Sequence, residues 1–407
     1  MSQTPLYLAV AGCGGRLREV LGHFIPSLDR PLVLRVFDPN PKSIEAARAA
    51  LKASIVVCAS WEEALEHPEV SWALVGSINA KHCEHITTAF HAGKNVFSEK
   101  PLATTLEDVL SIRDAWLASG RDFFFGLVLR YAPFYQAIFT QSRREQIGKL
   151  ISFEFNETLR AEHGGFIHGN WRRYRSQAGS HILEKCCHDI DIAQWLAESL
   201  PVRVASFGGL NFFVPENRSV AEEIGHDDKG QLAFHTWQDA NRVDPFDGTQ
   251  EIVDNQVVIL EYANGVRATF HTNCSAGLHE RRFYLVAAKG AVRGDASTGL
   301  VEREILSFTP SIEQTQINIS GQDENGEPNG HAGGDRRMAE HLMRTILEGE
   351  PPIAGMKEAI ASAITCLAID LALDEARIVD LRPIWGQAGI DPDDTTMFSS
   401  PVAMAAL

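Results

Sequence analysis

The sequence predicts an α/β domain built on a doubly wound parallel sheet, followed by an α+β domain with a large, mostly antiparallel open sheet. Two observations carry this. Over roughly the first 125 residues, short apolar runs alternate with helically spaced apolar residues, the rhythm of βαβ units. Beyond about residue 130, strand-like stretches follow one another with few helices between them. The boundaries fall at 1–128 for the first domain and 129–386 for the second, with 387–407 an irregular C-terminal tail. A chain of 407 residues exceeds one ordinary core and suits two.

The elements follow in order. Leu6–Ala11 is a near-continuous apolar run, as a strand covered on both faces must be. Leu17, Val20, Leu21 and Phe24 then recur at helical spacing. Leu32–Phe37 is a second strand ending at Asp38, and Asn40 with Pro41 caps and opens a helix expected to run through Ala53. Trp72–Val75 is a buried strand, and Lys81–Ala92 a helix stopped by Gly93. After the strand Asn95–Ser98, Thr104 with Leu106, Glu107 and Asp108 opens a helix that Gly120 ends. Phe123–Val128 closes the domain. In the second domain Ile151–Leu159, Val202–Phe213, Gln256–Cys274 and Arg282–Val292 have strand composition, with a hairpin turn at Asn264-Gly265. Residues 214–250 are polar and acidic with little periodicity, which predicts a long surface insertion. Gly334–Leu347 and Glu358–Ala376 read as helices.

Composition narrows the function. Hydrophobic residues make up 44% and charged residues 22%, ordinary globular values. No apolar run approaches the ~18 residues of a membrane span, and the first residues lack a signal-peptide pattern. A formal net charge of −16 argues against nucleic acid, which needs a basic face. Seven scattered cysteines do not suit a disulfide framework, so the reducing cytoplasm is expected, and the adjacent Cys186 and Cys187 are poorly placed to bridge each other.

Gly12-Cys13-Gly14-Gly15-Arg16-Leu17 lies between a buried strand and an amphipathic helix, and an acidic residue, Asp38, ends the next strand. A glycine turn alone is common; in this setting it lets backbone approach a pyrophosphate while the helix N-terminus supplies N–H donors. This is the dinucleotide-binding, Rossmann arrangement. Leu17 stands at the third fingerprint position, where a small residue normally permits close packing of helix on strand, so the helix is expected to sit outward with Gly15 partly compensating. Asp38 suits the adenosine ribose hydroxyls and repels a 2′-phosphate, favouring NAD over NADP. Arg16 and Lys42 are the cations that keep NADP open.

Two constellations suggest catalysis. Ser98-Glu99-Lys100-Pro101 follows a strand at its carboxyl end, where ligands lie in an open parallel sheet. Glu184-Lys185-Cys186-Cys187-His188-Asp189-Ile190-Asp191, if helical, puts Glu184 and His188 on one face, a carboxylate beside an imidazole, which suits proton transfer. A solvated lysine and a structural histidine are the plain alternatives. No second Cys or His pair lies at ligand spacing, so no metal site is expected.

At this point the sequence resembles the Gfo/Idh/MocA family of oxidoreductases. The resemblance is carried by Gly12-x-Gly14, Asp38, Ser77-Ile78-Asn79 with His82, Glu99-Lys100-Pro101, Gly126, Arg130-Tyr131-x-Pro133, Ile147-Gly148-Lys149-Leu150, Gly179 through Asp191, and His331-Ala332-Gly333-Gly334-Asp335. It implies hydride transfer between nicotinamide and a carbinol carbon of a sugar, cyclitol or related polyol. Lys100 would bind the substrate hydroxyl, His188 would be the general acid/base, and Glu184 would orient substrate or histidine. Ser77, Asn79, His82 and Glu99 would join Gly12, Gly14, Gly15, Arg16, Leu17, Asp38 and Lys100 around the cofactor. Homodimers or homotetramers would form through the open face of the second sheet. The chain departs from the family pattern at Ile78, which replaces a proline, at Glu184, which replaces an aspartate, and at Lys185 with its two cysteines, in a stretch that is usually small and apolar. Lys185 would add a cation to the pocket or point to solvent. Arg130, Arg160, His163, His168, Trp171, Arg172, Arg173 and His331 are further candidates for substrate contact. Two other functions fit the same residues: an NAD-retaining, redox-assisted glycosidase or lyase, and a non-catalytic NAD-binding regulator.

Overall fold

In the computed structural model, residues 4–235, 242–307, 313–319, 330–394 and 398 are described. They divide into two units, one of residues 4–133 with 330–363, the other of residues 134–319 with 364–398.

The first unit holds six strands: β1 (Leu6–Ala11), β2 (Leu32–Phe37), β3 (Ser54–Val57), β4 (Val70–Val75), β5 (Asn95–Ser98) and β6 (Phe123–Phe125). Their order is β3-β2-β1-β4-β5-β6, and every pairing is parallel. This is the doubly wound order, which reverses between β1 and β4 and opens a crevice there. The connecting helices are α1 (Gly15–Phe24), α2 (Pro41–Ala50), α3 (Trp61–Leu65), α4 (His82–His91) and α5 (Leu106–Ser119). Asn40 caps α2 by accepting from the Lys42 N–H, and Thr105, one residue beyond the expected cap, accepts from Asp108. Gly120 ends α5 with φ +61°.

Two differences from expectation have simple causes. The second helix stops at Ala50 rather than Ala53, because the run Ser54–Val57 continues as β3. That strand is at the sheet edge and half exposed, so it lacks the buried signature of its neighbours. The helix Gly334–Glu348, placed by sequence in the second domain, packs with the first unit, where its Asp335 pairs with Arg16.

The second unit is built on nine strands: β7 (Leu150–Thr158), β8 (Pro201–Gly209), β9 (Asn255–Tyr262), β10 (Arg267–Asn273), β11 (Arg282–Ala287), β12 (Gly290–Asp295), β13 (Leu300–Ile305), β14 (Glu313–Asn318) and β15 (Val379–Asp380). Their order is β14-β13-β12-β11-β7-β10-β9-β8-β15. Only β7 and β10 pair in parallel; the other pairings are antiparallel. The β9–β10 hairpin turns at Asn264-Gly265, with Gly265 at φ +86°. One face of the sheet buries Phe153, Phe155, Phe270 and Phe283, with the Phe155 and Phe283 rings stacked 5.3 Å apart. The other face presents Phe207 directly across from Val257, with Ile259 and Tyr284 further along, all exposed.

The stretch 214–250 lies mostly at the surface, as its composition suggests, but a few of its side chains are anchored in a small core. Phe213, Ala221, Phe234, Phe246 and Ile252 form a core of their own with Ile167 and Cys274. A Cβ on Gly165 would lie 1.8 Å from the Phe234 carbonyl oxygen, so the segment is seated directly on backbone. Arg173, buried, ties it down by donating to the Asp244 carbonyl, the Asp247 carboxylate and Thr249. Residues 236–241 lie outside the described part, as does most of the tail beyond 394. Among the described residues no helix is long and apolar enough to cross a membrane.

Candidate functional site

The glycine turn follows β1 at the point where the sheet order reverses. Gly12 sits at φ +78°, and a Cβ there would lie 2.6 Å from Ser77 Cα and 2.7 Å from Ser77 N. Only glycine permits that approach. Gly14 caps α1 with no side-chain hydrogen bond, and a Cβ on it meets nothing within 4 Å. The space beside Gly14 at the N-terminus of α1, where unpaired N–H donors gather, is therefore open, as a pyrophosphate requires. The crowding expected from Leu17 is resolved by Gly76 rather than Gly15. Leu17 is fully buried, and a Cβ on Gly76, at the end of β4, would lie 2.8 Å from Leu17 Cβ. The missing side chain that lets helix meet strand lies on the strand.

Asp38 Oδ2 accepts the Cys13 N–H at 2.8 Å, and Oδ1 accepts the Asn40 N–H at 2.8 Å, so the carboxylate is fixed at the mouth of the turn. Arg16 reaches away from the ribose end. Its Nε donates to Glu99 at 2.9 Å, and its Nη1 donates to Asp335 at 2.5 Å and Glu19 at 3.0 Å. Burial disfavours the Arg16 cation, but these carboxylates outweigh it and hold the group charged. With three carboxylates around it, Arg16 is not a cation reserved for a 2′-phosphate. Its buried Nη2 has no hydrogen-bond partner among the described residues. These features fit a dinucleotide at the turn.

The Ser77–His82 loop and the Lys100 turn are tied together. Burial keeps the His82 pKa low; the ring lies with Nδ1 2.6 Å from the Pro101 carbonyl oxygen and Nε2 3.1 Å from that of Ser77. His82 thus fastens the loop after β4 to the turn after β5, and both its nitrogens face main chain. Ser77 Oγ meets His85 Nδ1 at 2.9 Å, and Asn79 is buried. Glu99 joins Arg16 through Oε1 and accepts the Lys100 N–H through Oε2 at 3.3 Å. Lys100 is therefore anchored through its neighbour to the start of α1. Arg130 is buried in the short turn Val128–Tyr131 of this unit. His331, at φ +44°, has Nδ1 2.8 Å from Asp335 Oδ2 in the same unit.

In the second unit, the segment around His188 is two helices rather than one. His181–Glu184 ends in a turn at Lys185-Cys186, and Cys187–Ala197 begins after it. Glu184 and His188, both nearly buried, so belong to successive helices. Glu184 Oε1 accepts from Arg172 Nε at 2.8 Å, and the Arg172 guanidinium lies 4.5 Å from the Trp171 ring and 4.8 Å from Phe166. Lys185 is nearly buried and paired with a carboxylate. Its Nζ lies 2.9 Å from Oε1 of buried Glu157 on β7. Asp189, fully buried, receives Arg281 in a two-pronged pair at 2.7 Å and 2.7 Å, and Arg281 also reaches Glu157 at 3.3 Å. Burial pushes the Asp189 carboxyl up, against Arg281. Burial would also raise Glu157, yet Arg281 and Lys185 hold it well below the usual carboxylate range. Ligand atoms of Glu157, Cys186 and Asp189 lie within 4.8 Å of one another, but Lys185 and Arg281 already neutralise the carboxylates, a charge balance that does not suit a metal ion.

The remaining candidates scatter. Arg160 is exposed and donates to the His279 ring at 3.1 Å, while His163 is half-buried. His168 is fully buried and stacks on Phe213 at 4.3 Å, and Arg173 is the structural anchor described above; neither is placed to meet a substrate. Glu157 and Arg281 escaped the sequence reading because they lie 28 or more residues from Lys185, with no motif linking them.

The chain matches two family models: "Oxidoreductase family, NAD-binding Rossmann fold" over residues 6–125 and "Oxidoreductase family, C-terminal alpha/beta domain" over residues 143–380. Putative oxidoreductase YteT of Bacillus subtilis (strain 168) is 22% identical over 325 residues, 70% of this chain and 74% of that protein. Inositol 2-dehydrogenase of Agrobacterium fabrum (strain C58) is 29% identical over 198 residues, 47% of this chain and 54% of that protein. The chain thus matches about half the length of that dehydrogenase. The crystal structure of levoglucosan dehydrogenase with NADH and levoglucosan superposes with a TM-score of 0.72 at 17% identity, covering 93% of this chain and 99% of that one.

Proposed function

From the premise that the chain belongs to the Gfo/Idh/MocA family of NAD-binding oxidoreductases, we propose that it transfers a hydride between nicotinamide and a carbinol carbon of a sugar, cyclitol or related polyol. The observation that carries the proposal is the anchoring of Lys100. The Arg16–Glu99 pair joins the start of α1 to the turn that carries Lys100 after β5, which supports a role for that lysine at the carboxyl end of the sheet.

Bound nicotinamide supplies the hydride acceptor or donor. Lys100 donates to the reacting hydroxyl and lowers its pKa, favouring the alkoxide character that develops as hydride leaves. His188 takes or returns the hydroxyl proton. Glu184, steadied by Arg172, orients the polyol or the imidazole. Support for a cytoplasmic setting comes from seven cysteines, none of them joined in a disulfide among the described residues. Support for a homodimer or homotetramer comes from the exposed Phe207, Val257 and Ile259 on the open sheet face.

The test is a spectrophotometric assay with NAD over a polyol panel that includes inositol, comparing wild type with Lys100→Ala and His188→Ala. Each variant is expected to lose about 10²–10⁴-fold in kcat. Unchanged turnover in both removes the assigned roles. A nucleotide that stays bound through gel filtration with no net NADH release points instead to a transiently redox-assisted glycosidase or lyase.

A further inference from the structure

The ribose end of the nucleotide site carries a charge arrangement that the family assignment does not explain. A carboxylate offers about four lone-pair sites, and three on Asp38 are filled from within the protein. Oδ1 accepts the Asn40 N–H at 2.8 Å; Oδ2 accepts the Cys13 N–H at 2.8 Å and the Cys13 thiol at 3.4 Å. Burial, and then the charge of Asp38, pushes the thiol pKa up to about 12, so Cys13 keeps its proton and remains the donor. About one acceptor site is left for two ribose hydroxyls.

A cation lies on the same turn. Arg18 Nη1 donates to the Cys13 carbonyl at 2.7 Å, on the residue whose N–H Asp38 holds. Among the described residues no carboxylate pairs with Arg18, whereas Arg16 is engaged by three. A guanidinium braced at one nitrogen by a main-chain carbonyl, with no carboxylate on it among the described residues, is suited to a phosphate.

We propose that the chain binds NADP as well as NAD, with Arg18 receiving the 2′-phosphate and Cys13 weakening the competing contact between Asp38 and the ribose. The occupied carboxylate no longer commits the site to a free 2′-hydroxyl, and the unpaired guanidinium offsets its repulsion of phosphate. Lys42, exposed in the first turn of α2, is the rival receptor. Its backbone N–H is bound by Asn40, and among the described residues no contact draws its ammonium towards the glycine turn.

The experiment is fluorescence titration of NADH and of NADPH into wild type, Arg18→Gln, Lys42→Gln and Cys13→Ala, each first shown to melt like wild type. Wild type is expected to bind the two nucleotides within about tenfold of each other. Arg18→Gln should weaken NADPH by about tenfold or more while moving NADH by less than about twofold, the loss of a charge-assisted contact. Cys13→Ala should shift the ratio towards NADH by roughly two- to threefold, and Lys42→Gln should leave it unchanged. Equal weakening of both nucleotides by Arg18→Gln, or an NADPH-selective loss in Lys42→Gln, overturns the proposal. So does wild-type NADPH binding more than about a thousandfold weaker than NADH, a gap of ~4 kcal/mol. The readout is binding alone, so it holds whether or not polyol turnover is found, and failure of wild type to bind either nucleotide would remove the nucleotide site itself.

Discussion

Two glycines in one turn do different work, and substitution separates them. Gly12 lies in the left-handed region against Ser77 backbone, whereas Gly14 has φ −62° and open space before it. Gly12→Ala is expected to cost about 2–4 kcal/mol of stability in urea unfolding, since neither strain nor clash can relax into a flexible side chain. Gly14→Ala should change stability by less than ~0.5 kcal/mol yet weaken NADH roughly tenfold, because its methyl group would occupy the approach to the helix N-terminus. Equal effects of both substitutions on folding would contradict this division. At this scale the sequence was most legible where the backbone demands one residue type, as at Gly12. It was least legible where a contact joins distant positions. Leu17 against Gly76, Arg16 against Asp335, and Lys185 against Glu157 leave no local pattern.

The same contrast holds for elements. The buried strands and capped helices of the first unit were read to within a few residues because they carry strong periodicity, whereas the exposed edge strand β3 and the short α3 were not read. The stretch 214–250 was legible as a surface segment but not as one with a core, because its anchors, Ala221, Phe234 and Phe246, are too widely spaced to form a period. The turn between His181–Glu184 and Cys187–Ala197 is held by charge: Lys185 to Glu157 and Asp189 to Arg281. Lys185→Met should destabilise the protein by roughly 2–4 kcal/mol, and adding Glu157→Gln should restore part of that, since the damage is a buried charge with a lost partner. Additive losses in the double variant would show that the pair is not coupled. The long helix Met356–Asp374 carries a second buried acid. Burial pushes Asp370 up to about 7, partly opposed by the hydrogen bond from Ser180. The unfolded chain ionises this group near pH 4, whereas the fold keeps its proton to about 7, so stability is lost as pH rises through that window. Asp370→Asn should therefore raise stability at pH 8 by roughly 1–3 kcal/mol relative to its effect at pH 4, read from urea melts at the two values. A gain independent of pH would place the proton elsewhere.

For the whole molecule, the exposed face of the nine-stranded sheet and the net charge of −16 act against each other. Phe207 is 73% exposed beside Val257, and Ile259 lies one pair further along β9, a contiguous apolar strip on a face otherwise lined by charged and polar side chains such as Arg267, Thr269 and Glu154. Copies pairing through this strip would bury it, and β-sheet faces pack at about 10 Å with side chains interdigitating. The acidic surplus of each copy opposes their approach, and salt screens that repulsion over ~10 Å at 0.1 M. Association through this face should therefore strengthen, not weaken, as salt rises from about 0.05 to 0.5 M, the reverse of an interface held by ion pairs. If copies pair through this face, a Phe207→Asp, Val257→Lys double variant should sediment as a smaller species than wild type at the same concentration, while retaining NADH binding. A variant that still assembles like wild type, or a wild type that dissociates with added salt, would place the contact on another surface.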